Sequence, residues 1–187
     1  KILLSHGAGG RQSHNLISEL FLKYFSNYVL DELDDSAILE IGSGGKIVFT
    51  TDSYVVKPIF FPGGDIGRLA VCGTVNDLAV MGAVPKYISC GFVIEEGFPI
   101  ESLERILASM KAALEESGTR IVTGDTKVVE KGAADKIFIN TAGIGEMRPG
   151  IDMGMKKIRG GDILIINGSI GDHGLAVMAE RESFPFR

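Results

Sequence analysis

From Asp65 to Gly124 the apolar residues alternate between helical and strand spacing, and this constrains the fold more than any other feature. Asp65 caps a helical run to about Met81 in which Ile66, Leu69, Ala70, Val75, Leu78 and Ala79 are apolar, and Gly82 stops it. Tyr87 to Ile94 reads as a strand. Ser102 to Ser117 reads as a helix with Leu103, Ile106, Leu107, Met110 and Leu114 on one face and Gly118 as its stop, and Thr119 to Gly124 returns as a strand. Upstream, Leu16, Ile17, Leu20, Phe21 and Tyr24 predict a helix over Ser13 to Phe25, capped by Ser13 and covering a sheet. Two hairpins are expected, Ala37 to Ile41 with Lys46 to Thr51 about Gly42-Ser43-Gly44-Gly45, and Lys127 to Glu130 with Lys136 to Ala142 around Gly132. Alternating elements with hairpins mixed in predict an α/β domain with a mixed sheet and covering helices, over residues 1–150. In residues 151–187, Ile163 to Asn167 reads as a strand and Gly174 to Arg181 as a helix, too few residues for a core of their own.

The 187 residues carry 19 basic against 24 acidic side chains, a net charge of −5. This argues against nucleic-acid binding, which needs a basic face to displace counterions. A chain of this size buries roughly 70% of its unfolded surface, enough for one substantial core or for one domain plus part of another. No apolar stretch approaches the length of a bilayer span, and Lys1 to Arg11 lack a signal-peptide hydrophobic region. Cys72 and Cys90 lie in apolar runs and form no CxxC pair, so they read as core residues in a protein of the reducing cytoplasm.

Chemistry is expected where carboxylates stand at element edges or inside a helix: Asp34, Asp35, Asp52, Asp77 and Asp125. Asp77 lies in an apolar helix one turn from Gly73 and Thr74, and burying it requires a basic partner or a metal ion. Asp52 and Asp125 close strands in Thr-Thr-Asp-Ser and Thr-Gly-Asp-Thr-Lys. Carboxylates leaving strand ends together can gather Mg²⁺, which shares itself with substrate phosphates; solvated turn aspartates are the competing reading. His6-Gly7-Ala8-Gly9-Gly10-Arg11 could wrap a polyphosphate with backbone N–H groups, or be a terminal loop. No GxxxxGK[ST], strand-linked GxGxxG, GxSxG or HExxH occurs, which disfavours the familiar nucleotide folds and nucleophilic catalysis. Phe60-Phe61-Pro62-Gly63-Gly64 is open to three readings, a lid, a partner surface or packing.

The combination His6-Gly-Ala-Gly-Gly10, Asp34-Asp35-Ser-Ala37, Thr50-Thr-Asp-Ser53, Phe60-Phe-Pro-Gly-Gly-Asp-Ile-Gly67, Gly73-Thr-Val-Asn-Asp-Leu-Ala-Val-Met-Gly82 and Thr123-Gly-Asp-Thr-Lys-Val-Val129 resembles the HypE family of hydrogenase maturation factors. That family lies in the ATP-binding superfamily of aminoimidazole ribonucleotide synthetase, selenophosphate synthetase and thiamine monophosphate kinase. The resemblance implies an N-terminal domain that pairs with its copy and binds ATP and Mg²⁺, followed by an α+β domain of which residues 151–187 are the start. It places metal on Asp34, Asp35, Asp52, Asp77 and Asp125. It places nucleotide on Gly7, Gly9, Gly10, Asp35, Asp52, Asn76, Asp77, Asp125, Thr126 and Lys127, with Lys127 and His6 as candidate catalytic side chains. The implied reaction is ATP-dependent dehydration of a carbamoyl group on a C-terminal cysteine to a thiocyanate, the source of the cyanide ligand of [NiFe]-hydrogenase iron. The implied partners are HypF and the HypC–HypD complex.

The chain departs from that family by ending at Arg187 without a terminal cysteine, so it is expected to be a fragment or the product of a split gene, keeping the dimer and much of the nucleotide site but incomplete for turnover. Two rival readings remain at this stage. A selenophosphate synthetase would carry a reactive Cys or Sec and a Lys near the glycine-rich start, where this chain has His6 and Arg11. A dimerisation or docking module would bind metal on its acidic loops only incidentally.

Overall fold

Each long element forms where local signals are strongest. The computed structural model describes residues 1–42 and 44–182, so Ser43 of the first hairpin turn and the Phe184 to Arg187 end lie outside the described residues. Strands β1 (Ala37–Ile41) and β2 (Gly45–Tyr54) make the expected antiparallel hairpin. A two-strand ribbon follows, β3 (Phe60–Phe61) with β4 (Gly64–Asp65). Phe60 packs on the core with the Arg105 guanidinium 4.0 Å above its ring, which favours packing over a lid.

Asp65 then caps the helix Ile66–Val80, its Oδ1 accepting from Gly67 N at 2.7 Å and Arg68 N at 3.0 Å. Gly82, at φ +81°, turns the chain into a long strand, β5 (Ala83–Glu95). The helix Ile100–Ser117 ends on Gly118 at φ +67°, the left-handed stop that glycine takes without strain. Strands β6 (Arg120–Val129) and β7 (Ile137–Met147) complete a five-stranded sheet in the order β1-β2-β7-β5-β6, with β6 parallel to β5 and every other pair antiparallel. The expected mixed α/β architecture is borne out.

The expected hairpin around Gly132 is not. The strands on either side of Gly132 lie on opposite edges of β5, because β6 pairs with β5 across a helical crossover while β7 returns between β2 and β5. The connection is held at the end of β5 by the Glu95 carboxylate, which accepts from Gly132 N at 2.5 Å and Lys136 N at 3.1 Å. Glu95→Ala removes both charge-assisted bonds from a partly exposed position and is expected to cost about 1 kcal/mol. A thermal melt should show this as a fall of about 2–4 °C.

In chain order the helices are α1 (Arg11–Leu16), continued by a π-turn (Ile17–Phe21) into α2 (Leu22–Phe25), then α3 (Ile66–Val80), α4 (Ile100–Ser117) and α5 (Asp172–Glu182). None of the described helices is long and apolar enough to cross a membrane. Helix α3 packs across β2 and β7 and against α4. The main core joins Ile66, Ala70 and Val71 of α3 to Ile106 and Met110 of α4 and to Ile88, Cys90, Ile137 and Ile139 of the sheet; Val48, Leu78, Met81 and Ala83 form a second cluster.

Two further expectations fail for one reason, the lack of a surface to pack on. The N-terminal helix does not cover the sheet. Leu20, Phe21, Tyr24 and Phe25 stay exposed, because α3 and α4 already occupy the face the sheet offers to helices. Its start is Arg11 after Gly10, and Ser13 lies inside it, the hydroxyl accepting from Gly9 N at 2.9 Å. Residues 163–166 form no strand and are largely exposed; no described strand offers them the neighbour that a ladder requires.

Candidate nucleotide and metal site

The α3-facing side of β2 carries Val48, Thr50, Asp52 and Tyr54, alternate residues as the pleat requires; all are buried except Asp52. Thr50 Oγ1 lies 3.0 Å from Asp77 Oδ2 and 3.1 Å from the Asp35 carbonyl oxygen, and Ser36 Oγ donates to the Asp77 carbonyl oxygen at 2.8 Å. The charges of Asp52 and Asp35 thereby reach Asp77. Burial lifts the Asp77 carboxyl above its ordinary value; the Thr50 hydrogen bond opposes this, while the charges of Asp52 and Asp35 add to it. None of the three forms an ion pair among the described residues.

Asp125 is elsewhere. It pairs in register with Gly91 of β5, one residue out of step with the Asp52-Thr141-Cys90-Gly124 row, so it projects from the outer face of the sheet. Three strand spacings separate β2 from β6, roughly 14 Å. Its carboxylate is bound to Lys127 Nζ at 2.9 Å, and this ion pair with the lysine holds it below the usual carboxylate range. Thr126 and Asn76 are exposed. Asp34 directs Oδ1 to Met155 N at 3.0 Å, tying the loop before β1 to the segment after the sheet. His6 Nδ1 accepts from Leu3 N at 3.0 Å, and a Cβ on Gly7, Gly9 or Gly10 would meet nothing within 4 Å, so that loop stands in the open.

Hard carboxylate oxygens crowded without a cation suit Mg²⁺. Among the described residues, no group of three or more His, Cys, Asp or Glu side chains is arranged to hold a metal by itself. Mg²⁺ sites commonly use one or two carboxylates, with waters and substrate phosphates completing the shell. Tyr54 and Thr141 are hydroxyls that the sequence pattern does not single out, and Thr50 and Thr74 enter it only as neighbours of the carboxylates; all four lie beneath the acidic corner. The parity of Thr50, Asp52 and Tyr54 along one strand is the signal that finds the first and third.

Residues 33–147 match the family described as AIR synthase related protein, N-terminal domain. The chain belongs to this family. Within it, the chain is similar to the carbamoyl dehydratase HypE of Rhizobium leguminosarum bv. viciae, 56% identical over 186 residues, which are 100% of this chain and 53% of that protein. A solved HypE–HypF complex superposes with a TM-score of 0.85 at 53% identity, over 91% of this chain and 55% of that one. HypE in complex with ATP superposes with a TM-score of 0.73 at 52% identity, over 100% of this chain and 55% of that one. The chain spans about half the length of the curated relatives it matches.

Proposed function

We propose that the chain is the nucleotide-binding part of an ATP-dependent carbamoyl dehydratase of the hydrogenase maturation type, with residues 1–150 as the ATP-binding and dimerisation domain and 151–187 opening the second domain. The observation that carries this reading is the Asp35, Asp52 and Asp77 group beside Thr50, without an ion pair among the described residues, in a chain about half identical to HypE proteins. In the complete protein, the carboxamide oxygen of a C-terminal S-carbamoyl cysteine takes the γ-phosphoryl group of ATP and releases ADP. Loss of the N–H protons then expels phosphate as the nitrile forms, because phosphate leaves where oxide cannot.

Asp35, Asp52 and Asp77 would hold Mg²⁺, which when bound offsets the charge of the phosphates. The Asp125–Lys127 pair would face a second stretch of the nucleotide. Its place on the outer face is why the site is read as completed by a second copy: Phe49, Ile144 and Tyr87 form an exposed apolar row on that same face. HypF, by likeness to the HypE–HypF complex, and HypC–HypD are the partners of the complete protein in this reading, in the cytoplasm.

The test is titration of ATP into the chain with and without Mg²⁺. Magnesium-dependent binding is expected, weakened at least about tenfold in both Asp52→Asn and Asp125→Ala. Absence of nucleotide binding, or binding indifferent to both substitutions, would sink the assignment. Extended to the length of its relatives and carrying a carbamoylated terminal cysteine, the protein should lose one water on addition of ATP, read by intact mass.

A further inference from the structure

Asp52 sits on β2 between two side chains that grip α3. On one side Thr50 meets Asp77. On the other the Tyr54 hydroxyl reaches Thr74 Oγ1 at 3.3 Å, and Thr74 in turn hydrogen-bonds Thr141 of β7. All three of these hydroxyl residues are buried, and a buried phenol keeps its place only with a polar partner. The fit is tight: a Cβ on Gly73 would lie 2.3 Å from the Tyr54 oxygen, so the ring tip enters α3 where the helix has no side chain. Asp52's own backbone is fixed from the sheet side, with Asn140 Nδ2 donating to its carbonyl oxygen at 2.9 Å.

We propose that Tyr54, through its hydroxyl bond to Thr74, is a positioning residue that sets the spacing between Asp52 on β2 and Asp77 on α3, and so the affinity of the acidic corner for Mg²⁺. Resting on the magnesium-nucleotide reading above, this names which side chains hold that site in shape. Tyr54→Phe keeps the ring and removes only the hydroxyl. Thr74→Val keeps the shape and removes its hydroxyl, leaving Thr141 the Ala70 carbonyl as acceptor; Thr74→Ser retains the bond.

ATP is titrated into each folded variant across a series of MgCl₂ concentrations, folding being confirmed by a cooperative thermal transition. The Mg²⁺ midpoint is expected to rise about tenfold in Tyr54→Phe and in Thr74→Val, the scale for losing a group that orients a metal ligand. ATP affinity without Mg²⁺ should stay unchanged, and Thr74→Ser should restore the wild-type midpoint. If Tyr54→Phe does not fold, the Thr74 pair carries the same comparison. Midpoints equal to wild type in the folded hydroxyl-deletion variants, or a Thr74→Ser that behaves like Thr74→Val, overturn the positioning role and leave the nucleotide reading intact. A wild-type chain without magnesium-dependent binding overturns both.

Discussion

Asp77→Asn is expected to make the free chain slightly more stable at neutral pH while weakening magnesium-dependent ATP binding by about a hundredfold or more. Burial, together with the charges of Asp52 and Asp35, raises the Asp77 carboxyl above its ordinary value of 3.8. Between that value and the raised one, the folded chain keeps a proton that the unfolded chain has released. Stability therefore falls as pH rises through this window, and the full penalty stands at pH 7. Asparagine removes the charge and can still accept from Thr50. Asp77 is only partly buried, so solvent screening limits the gain to about 0.5 kcal/mol, or roughly 1–2 °C. Saturating MgATP should reverse the order, since ligand at a hundred times its Kd adds about 2.7 kcal/mol to a protein that binds it and nothing to one that does not. Melts from acid to neutral pH, with and without MgATP, check both halves. A variant less stable than wild type without ligand, or equally stabilised by MgATP, contradicts the assignment.

That trade also explains what could be read from the chain before its fold was known. A carboxylate within the apolar run Gly73 to Gly82 is conspicuous because its cost is local, and so are the cap at Asp65 and the stops at Gly82 and Gly118. Pairing is not local. The residues around Gly132 show strand spacing whether β6 and β7 are neighbours or, as here, flank β5. An amphipathic pattern likewise states that a helix has an apolar face, and an apolar run that a strand could form, not that anything remains for either to pack on, so Leu20 to Phe25 and Ile163 to Ile166 stand largely exposed. The position of Asp125 combines both problems. Its side of the sheet depends on the register of β6 against β5, which shifts between Ile88 and Ser89, so the sequence could not say that it faces away from Asp52 and Asp77.

Gly67→Ala should be the more damaging change to the fold, although it lies a helix length from the acidic corner. Placed in a helix, alanine ordinarily gains about 1 kcal/mol over glycine. Here an added Cβ would sit 2.7 Å from the Ile106 carbonyl oxygen and 2.8 Å from both Ile106 Cγ2 and Met110 Cγ. A backbone oxygen on α4 cannot turn aside as a side chain can, so α3 and α4 must separate. Overpacking of this kind costs about 3 kcal/mol or more, which exceeds the propensity gain. The net loss of about 2 kcal/mol predicts a melting temperature lower by roughly 4–8 °C. Gly174→Ala, the same replacement inside α5 with nothing within 4 Å, has the propensity gain without the clash and should leave the melting temperature unchanged or raise it by up to about 2–4 °C. Because α3 carries Asp77, its displacement should also raise the Mg²⁺ midpoint for ATP binding at temperatures where the variant is still folded. A Gly67→Ala chain that melts with the wild type would show that the two helices are not in the close contact on which the position of Asp77 depends.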